Sequence, residues 1–243
     1  MSYINIDNNY YFKVTNEISD DLKYIIDVKN INFREIKKNN VFVLKVDFNT
    51  FNYSSYKKML RQLMRIKTLV LQNHIKLGIF RESKIFIGYL LNYDINNKYH
   101  NDFIAAINAI MYNTKYERYN YIYDTVCDYL DSCFYGKNLC NFKENKCGEK
   151  INTTSTTGCC RHYRKGPFSR LVVCEYLTEN YACRAKCISC KLFTCDYLKK
   201  KGVEFKIKDI LLLDVFFNPI QKYFIKYKVF TPKEKILKRI MLF

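Results

Sequence analysis

Glycine and proline are scarce in this sequence. The chain has seven glycines and three prolines among 243 residues, whereas 49% of its residues are hydrophobic and 16% are aromatic. This composition excludes a collagen-like chain and a wholly disordered chain, and it is typical of a globular protein with a buried core. From the length we expect one large domain or two small ones.

A long apolar segment is also missing. No stretch of 18 uncharged apolar residues occurs, and the first residues, MSYINIDNNYY, lack a basic segment followed by an apolar one. The sequence therefore predicts neither a membrane span nor an export signal. We expect a cytoplasmic protein.

Cysteine is absent from residues 1–126 and 196–243, and all eleven copies fall between Cys127 and Cys195. In a reducing cytoplasm, metal ligands or free thiols explain so many cysteines better than a disulfide framework does. This distribution predicts three regions. They are an α+β domain without cysteine over 1–126, a cysteine-rich metal-binding region over 127–202, and a helical basic tail over 203–243.

Hydrophobic periodicity predicts strands and helices together in the first region. Segments 41–48 and 84–91 have the pattern of strands, and segments 102–111, 116–134 and one that begins near residue 55 have the pattern of helices. The buried face predicted for that helix near residue 55 consists of Met59, Leu63, Ile66, and Leu69 or Val70. The predicted fold class is α+β, with a mixed α/β N-terminal region, a loop-rich cysteine metal domain and a helical C-terminal tail.

Local signals also mark a link and two helix ends. The Ser/Thr-rich segment 152–158, NTTSTTG, predicts a flexible link or loop. Segment 207–217 predicts a helix that ends before Pro219. Thr231, Pro232 and Glu234 have the spacing of a capping box with proline at the first helical position.

The strongest chemical signal is the density of cysteine between residues 159 and 195. The last four cysteines are separated by gaps of three, two and four residues. Short turns can aim such sulfurs at one point, as tetrahedral Zn²⁺ or a [4Fe–4S] cluster requires. Buried small hydrophobes and disulfides are the alternatives. The predicted metal ligands are Cys159, Cys160, Cys174, Cys183, Cys187, Cys190 and Cys195.

Further candidate ligands lie around this cluster. With His162 the candidate ligands number eight, enough for two tetrahedral sites. Upstream, four cysteines spaced six to seven residues apart could converge on another metal, although the first of them also fits a helical core position. These four are Cys127, Cys133, Cys140 and Cys147.

The charge of the cluster fits thiolates. Residues 159–195 carry seven basic and two acidic side chains, so seven thiolates and one divalent metal would make the segment neutral. Basic side chains near a thiol lower its pKa. The predicted compensating residues are Arg161, Arg164, Lys165, Arg170, Arg184, Lys186 and Lys191.

Two family resemblances follow from these spacings. Cys183, Cys187 and Cys190 resemble the C-x3-C-x2-C motif of radical S-adenosylmethionine enzymes, but only 53 residues follow Cys190, far fewer than the rest of a partial barrel needs. The segment 159–195 is more similar to small bacterial zinc- or iron-chelating cysteine-cluster domains. That similarity consists of Cys159-Cys160, then Cys174-Glu-Tyr-Leu177, Cys183 and Cys190-Lys-Leu-Phe193. It implies metal chelation and no defined activity.

Three functional classes remain open from the sequence. The first is a structural or redox-sensing metal protein. The second is a nucleic-acid-binding protein, suggested by a net charge of +18 and by basic residues interleaved with aromatics in 161–165 and 221–228. The third is an iron–sulfur or thiol enzyme, for which no nucleotide-binding, zinc-protease or hydrolase motif is present. A membrane-surface role for residues 207–243 is a further alternative to core packing.

Overall fold

A computed structural model describes residues 3–6, 10–14, 25–27, 42–47, 54, 56–61, 63–65, 86–91, 100–112, 114–143, 146–147, 161–164, 170–176, 178 and 183–243. The chain forms two compact units, Met1–Tyr112 and Asn113–Phe243. Within the described ranges, no helix is long and apolar enough to cross a membrane.

The first unit contains a five-stranded sheet, of which the structure describes the backbone. Its strands are β1 (Tyr3–Ile6), β2 (Tyr10–Val14), β3 (Ile25–Asp27), β4 (Phe42–Asp47) and β5 (Phe86–Leu91). Their order is β1-β2-β5-β4-β3. The pair β1–β2 is antiparallel, and the other pairs are parallel. The strands β4 and β5 lie inside the two segments for which the sequence predicts strands.

Helical packing follows the sequence pattern in this unit. Residues 56–61 and 63–65 are helical, and Met59 and Leu63 are buried as predicted. Helix α1 (His100–Met111) buries Phe103, whose ring centroid lies 5.1 Å from that of Tyr56. The remaining predicted positions, Ile66 and Leu69 or Val70, lie outside the described residues.

The second unit is built around one long helix, α2 (Lys115–Gly136). Two short antiparallel pairs follow, β6 (Phe142–Lys143) with β7 (Lys146–Cys147) and β8 (Arg161–Arg164) with β9 (Arg170–Val173). The later helices are α3 (Ile188–Lys191), α4 (Asp196–Lys200), α5 (Leu211–Phe216), α6 (Pro219–Tyr227) and α7 (Lys233–Ile240), with a 3-10 helix at Ile207–Asp209. The helices α3, α5 and α7 all pack against α2.

Helix α2 begins with a capping box and buries one of its faces. The Thr114 hydroxyl accepts a hydrogen bond from the Glu117 N–H, and the Glu117 carboxylate accepts one from the Thr114 N–H, which is a capping box. The buried residues recur at three- and four-residue intervals, as on one helical face: Tyr119, Ile122, Tyr123, Val126, Cys127, Leu130 and Cys133. The helix continues without a break across position 126, where the sequence predicts a domain boundary.

The predicted α+β class is wrong for the part of the chain whose side chains the structure describes. Of the residues whose side chains the structure describes, 67% are helical and none lies in a strand. The segment 183–202, for which the sequence predicts a loop-rich domain, contains α3 and α4. The prediction failed because cysteine spacing was interpreted as a loop-rich metal domain. In the structure, its buried residues Ile188 and Leu198 belong to a helical core. The predicted link at 152–158 lies outside the described residues.

The capping box predicted at Thr231 is also wrong. Helix α7 starts after Pro232 without any side-chain cap, and the Thr231 hydroxyl donates to the carbonyl of Val229 at 3.1 Å. The first helical N–H, that of Lys233, instead donates to the Ala185 carbonyl at 3.0 Å. A tertiary partner thus satisfies the N–H group that a cap would otherwise bind.

A capping box occurs instead at the start of α6. The Asn218 side chain accepts from the Gln221 N–H at 2.9 Å, and the Gln221 side chain accepts from the Asn218 N–H at 3.0 Å, with Pro219 at the first helical position. Gln221 is 1% exposed. Its amide also donates to the Ile240 carbonyl at 2.8 Å and lies 3.2 Å from the Tyr119 hydroxyl. One side chain therefore links α2, α6 and α7.

Replacement of Gln221 by alanine should destabilise the protein by about 1–3 kcal/mol, because it leaves the Tyr119 hydroxyl and the Ile240 carbonyl buried without their partner. Urea unfolding followed by circular dichroism measures this loss. The matched control is Ile220→Ala, which changes the exposed neighbouring residue and should stay within about 0.5 kcal/mol of the parent. Equal stability of the two variants would contradict the proposed role of this network.

Candidate metal centre

Not all predicted ligands lie in the part of the chain that the structure describes. Cys159 and Cys160 lie outside the described residues. For Cys147 and His162 only the backbone is described, in strands β7 and β8. The other eight cysteines have described side chains, and none of the eight forms a disulfide bond.

Cys187 and Cys190 form a tight turn at the start of α3. The chain approaches this turn through Lys186, whose φ of 47° is in the left-handed region and whose N–H donates to the Cys183 carbonyl at 3.0 Å. Cys187 is the N-cap residue of α3 and is 1% exposed. The Cys190 N–H and thiol are both hydrogen-bonded to the Cys187 sulfur.

The segment between α6 and α7 supplies further donors to this pair. The Phe230 N–H donates to the Cys190 sulfur at 3.1 Å. The hydrogen bond from the Cys190 thiol, joined by N–H groups of Cys190, Thr231 and Phe230, lowers the pKa of Cys187 to about 6 against the cost of burial. These hydrogen bonds favour the thiolate form of Cys187 over the neutral thiol, whose sulfur also lies 3.5 Å from the Lys228 carbonyl.

Two more cysteines lie near this pair. Cys174 interacts electrostatically with Cys183 and Cys187, and burial raises the pKa of the Cys174 thiol. The backbone joins the two segments, because the Arg184 N–H donates to the Tyr176 carbonyl at 2.8 Å. The fold therefore brings Cys174, Cys183, Cys187 and Cys190 into one neighbourhood.

Cys127 approaches the same neighbourhood from α2 but has a different chemical state. Burial raises the pKa of its thiol to about 12, and the thiol donates to the Lys186 carbonyl at 3.0 Å. Beside it, the Tyr123 hydroxyl accepts from the Ile188 N–H at 3.3 Å. Cys127 is therefore a neutral hydrogen-bond donor that holds the loop before α3 against α2.

Two of the predicted compensating cations pair with carboxylates of α2. Lys186 lies 2.8 Å from Asp124, and this hydrogen bond raises the pKa of the lysine. Lys191 is 6% exposed and lies 2.5 Å from Asp131. Both lysines still lie near the Cys127 thiol, where their charges oppose the rise in its pKa.

The remaining described cysteines are not brought to this neighbourhood by any described contact. Cys133 is buried on α2, Cys140 lies in the turn after that helix, and Cys195 precedes α4 as its N-cap. Among the described residues, no group of three or more His, Cys, Asp or Glu side chains is arranged so that it could hold a metal ion.

The sequence did not predict the groups that hold the Cys187–Cys190 turn, which are backbone N–H donors and one tyrosine hydroxyl. The N–H groups of Phe230 and Thr231 come from a segment without cysteine, and Tyr123 occupies an ordinary core position of α2. Their role depends on contacts 40 and 65 residues apart. No local motif identifies such contacts.

Comparisons of the chain with known proteins found no match. No protein-family model matches the chain, and neither a curated protein nor a solved structure is similar to it. The resemblance of residues 159–195 to bacterial cysteine-cluster domains therefore stays a prediction.

Proposed function

We propose that this protein is a metal-binding cysteine-cluster protein that binds Zn²⁺ through Cys174, Cys183, Cys187 and Cys190. The described side chains are near one another but are not arranged around an ion, so zinc binding would draw the four sulfurs together. The observation that carries the proposal is the buried Cys187–Cys190 turn, whose sulfurs accept hydrogen bonds from backbone N–H groups. Such donors stabilise the thiolate form, which is the form that binds a metal. A buried thiolate that had no structural or chemical use would be a cost to folding.

The chemistry of the four side chains fits zinc. Four thiolates are a common tetrahedral ligand set of structural zinc, and a set with no open position serves structure rather than catalysis. Cys127 is excluded from the proposed set because burial raises the pKa of its thiol to about 12, which disfavours the thiolate form that binds a metal. When bound, the ion would fix the segment around Cys174 to the start of α3.

A zinc site and an iron–sulfur cluster have different absorption spectra. Iron–sulfur proteins absorb in the visible range, whereas a zinc thiolate site is colourless until Co²⁺ replaces the zinc. We favour zinc because four cysteine thiolates would complete its tetrahedral ligand set. A redox-sensing cluster is the alternative that the same preparation tests.

We expect the anaerobically purified protein to contain about one zinc per chain, as one tetrahedral site requires. Replacement of Cys187 by serine should reduce the bound zinc at least tenfold, because the hydroxyl stays protonated at neutral pH and is a poor zinc ligand. Elemental analysis after gel filtration measures both values.

The matched control is Cys195→Ser, which removes a cysteine eight residues away that no described contact connects to the four proposed ligands. This variant should keep its zinc. Metal below half an equivalent in the parent protein would overturn the proposal. If the purified protein is brown and contains stoichiometric iron, the centre holds an iron–sulfur cluster instead of zinc. Full zinc retention in the Cys187→Ser variant would remove Cys187 from the ligand set.

A further inference from the structure

A groove runs along the surface of the second unit beside α6. Its larger part has a volume of about 620 Å³ and lies between the 3-10 helix and the segment that follows α3, with Phe193, Phe205 and Val229 in its lining. A second part of about 370 Å³ continues along α6 to Pro219. Ile207, Lys208, Lys226 and Tyr227 line both parts, so the two parts adjoin and are together called the groove.

The lining of this groove is strongly basic. Five lysines line it against two carboxylates, Glu204 and Asp214. Both carboxylates are held by lysines, since Lys206 lies 2.6 Å from Glu204 and Lys222 lies 2.8 Å from Asp214. A third lysine of the lining, Lys199, lies 4.0 Å from the exposed Asp196 outside it. Five lysines therefore stand against three carboxylates, which leaves the groove with a positive excess. The five lysines are Lys199, Lys206, Lys208, Lys222 and Lys226.

Two exposed tyrosines stand among these lysines. Tyr223 and Tyr227 are 56% and 55% exposed, and their ring centroids are 4.9 Å apart on neighbouring turns of α6. The Lys226 ammonium lies 4.9 Å from the centroid of Tyr227. Two adjacent exposed rings beside lysines offer stacking surfaces next to positive charge.

We infer that this basic groove binds single-stranded nucleic acid, with Tyr223 and Tyr227 stacking on bases and the groove lysines contacting phosphates. An unpaired strand presents base faces and regularly spaced phosphates together, and that combination matches adjacent rings and lysines. A duplex hides its base faces inside the stack. An acidic peptide offers charge but no flat ring surface to the tyrosines.

The groove also adjoins the proposed metal centre. Ser189, between Cys187 and Cys190, lines the groove and donates a hydrogen bond to the Ile225 carbonyl within α6. The turn that carries the two thiols therefore supports the helix that carries the tyrosines. The inference does not depend on metal, because the charge and the rings belong to α6 and residues 199–208.

Fluorescence anisotropy with labelled 12-nucleotide oligothymidine and oligouridine tests this inference on the full chain. Binding should weaken with a log–log salt slope of about −2 if three phosphates are contacted, because each contact to a single strand contributes about −0.7. Both oligonucleotides should bind if stacking and phosphate contacts suffice, and stronger binding of one identifies RNA or DNA as the preferred strand.

Two charge-reversal variants distinguish binding in the groove from an effect of net charge on affinity. The Lys208→Glu/Lys226→Glu variant should bind at least about tenfold more weakly, since it removes two phosphate contacts and adds repulsion. The control Lys235→Glu/Lys238→Glu changes the net charge equally at exposed positions of α7 outside the groove. It should bind within about twofold of the parent at moderate salt, because distant charges are screened.

The aromatic contribution has its own control. Tyr223→Ala/Tyr227→Ala should weaken binding at least about fivefold, which is the lower range for one lost base stack. Tyr116→Ala removes a comparably exposed ring on α2 and should have no effect. All these variants keep every cysteine, so zinc content should not change.

Three results would overturn the inference. One is the absence of binding at low salt. The second is equal loss of affinity in the groove variant and the α7 control, which would reduce the effect to net charge. The third is displacement of the labelled oligonucleotide by polyglutamate as effectively as by unlabelled oligonucleotide. That outcome would identify the groove as a site for acidic polypeptides.

Discussion

Replacement of Asp131 by asparagine should reduce the free energy of unfolding by about 3–5 kcal/mol, the usual cost of leaving one buried charge without its partner. Lys191 is nearly inaccessible to water, and its ammonium lies between the Asp131 carboxylate and the Cys127 carbonyl, 2.5 and 3.3 Å away. Without the carboxylate, only neutral oxygens would face the cation. Chemical unfolding followed by circular dichroism measures the change.

Two further variants test this interpretation. Asp128 lies on the same helix, is exposed, and is 3.9 Å from Lys186, so Asp128→Asn should change stability by less than about 1 kcal/mol. The double variant Asp131→Leu/Lys191→Met removes both charges together and should regain most of the stability that the single variant loses. A double variant as unstable as Asp131→Asn would show that packing, rather than the unpaired cation, causes the loss.

Removal of zinc should have an effect of similar or larger size. A ligand that binds only the folded state stabilises it by about 4 kcal/mol at a free concentration one thousand times its Kd, and structural zinc sites reach about 10–16 kcal/mol in small peptides. Treatment with a strong chelator should therefore lower the midpoint of thermal unfolding markedly. Calorimetry with and without the chelator measures this shift.

The location of the effect is as informative as its size. Hydrogen exchange should accelerate on chelation at the N–H groups of Lys191, Phe193 and Phe230, which bond to Cys187 or Cys190. The N–H groups in the middle of α2 should change least. The Cys187→Ser/Cys190→Ser variant should no longer respond to the chelator. An equal response in that variant would show that the stabilising metal binds elsewhere.

Local patterns were enough to predict the helices whose packing is regular along the sequence. The stripe of apolar residues in segment 116–134 predicts α2, and the pattern around Met59 and Leu63 predicts the helix that begins near residue 55. Cys127 lies on the α2 stripe, and the sequence already favoured a core position for it. In each case the buried face repeats with the helical period, so a short window contains the whole signal.

The architecture of the cysteine region was not predictable in this way. Cysteine spacing suggests where sulfurs can approach each other, but it does not reveal that α3 is enclosed by helices. The cap at Thr231 failed for a similar reason, since the carbonyl of Ala185 takes the hydrogen bond of Lys233 from 48 residues earlier. The fold class failed because residues 183–202, predicted to belong to a loop-rich domain, contain α3 and α4.

The carboxylate of Asp124 has a consequence for protein synthesis. It binds Lys186 and Lys233, which lie 62 and 109 residues later in the chain. At about 5–20 residues per second, a ribosome would need roughly 5–20 s to deliver the second lysine. During that interval the nascent helix would present an uncovered apolar stripe, and we expect this segment to depend on chaperones until translation has supplied its partners.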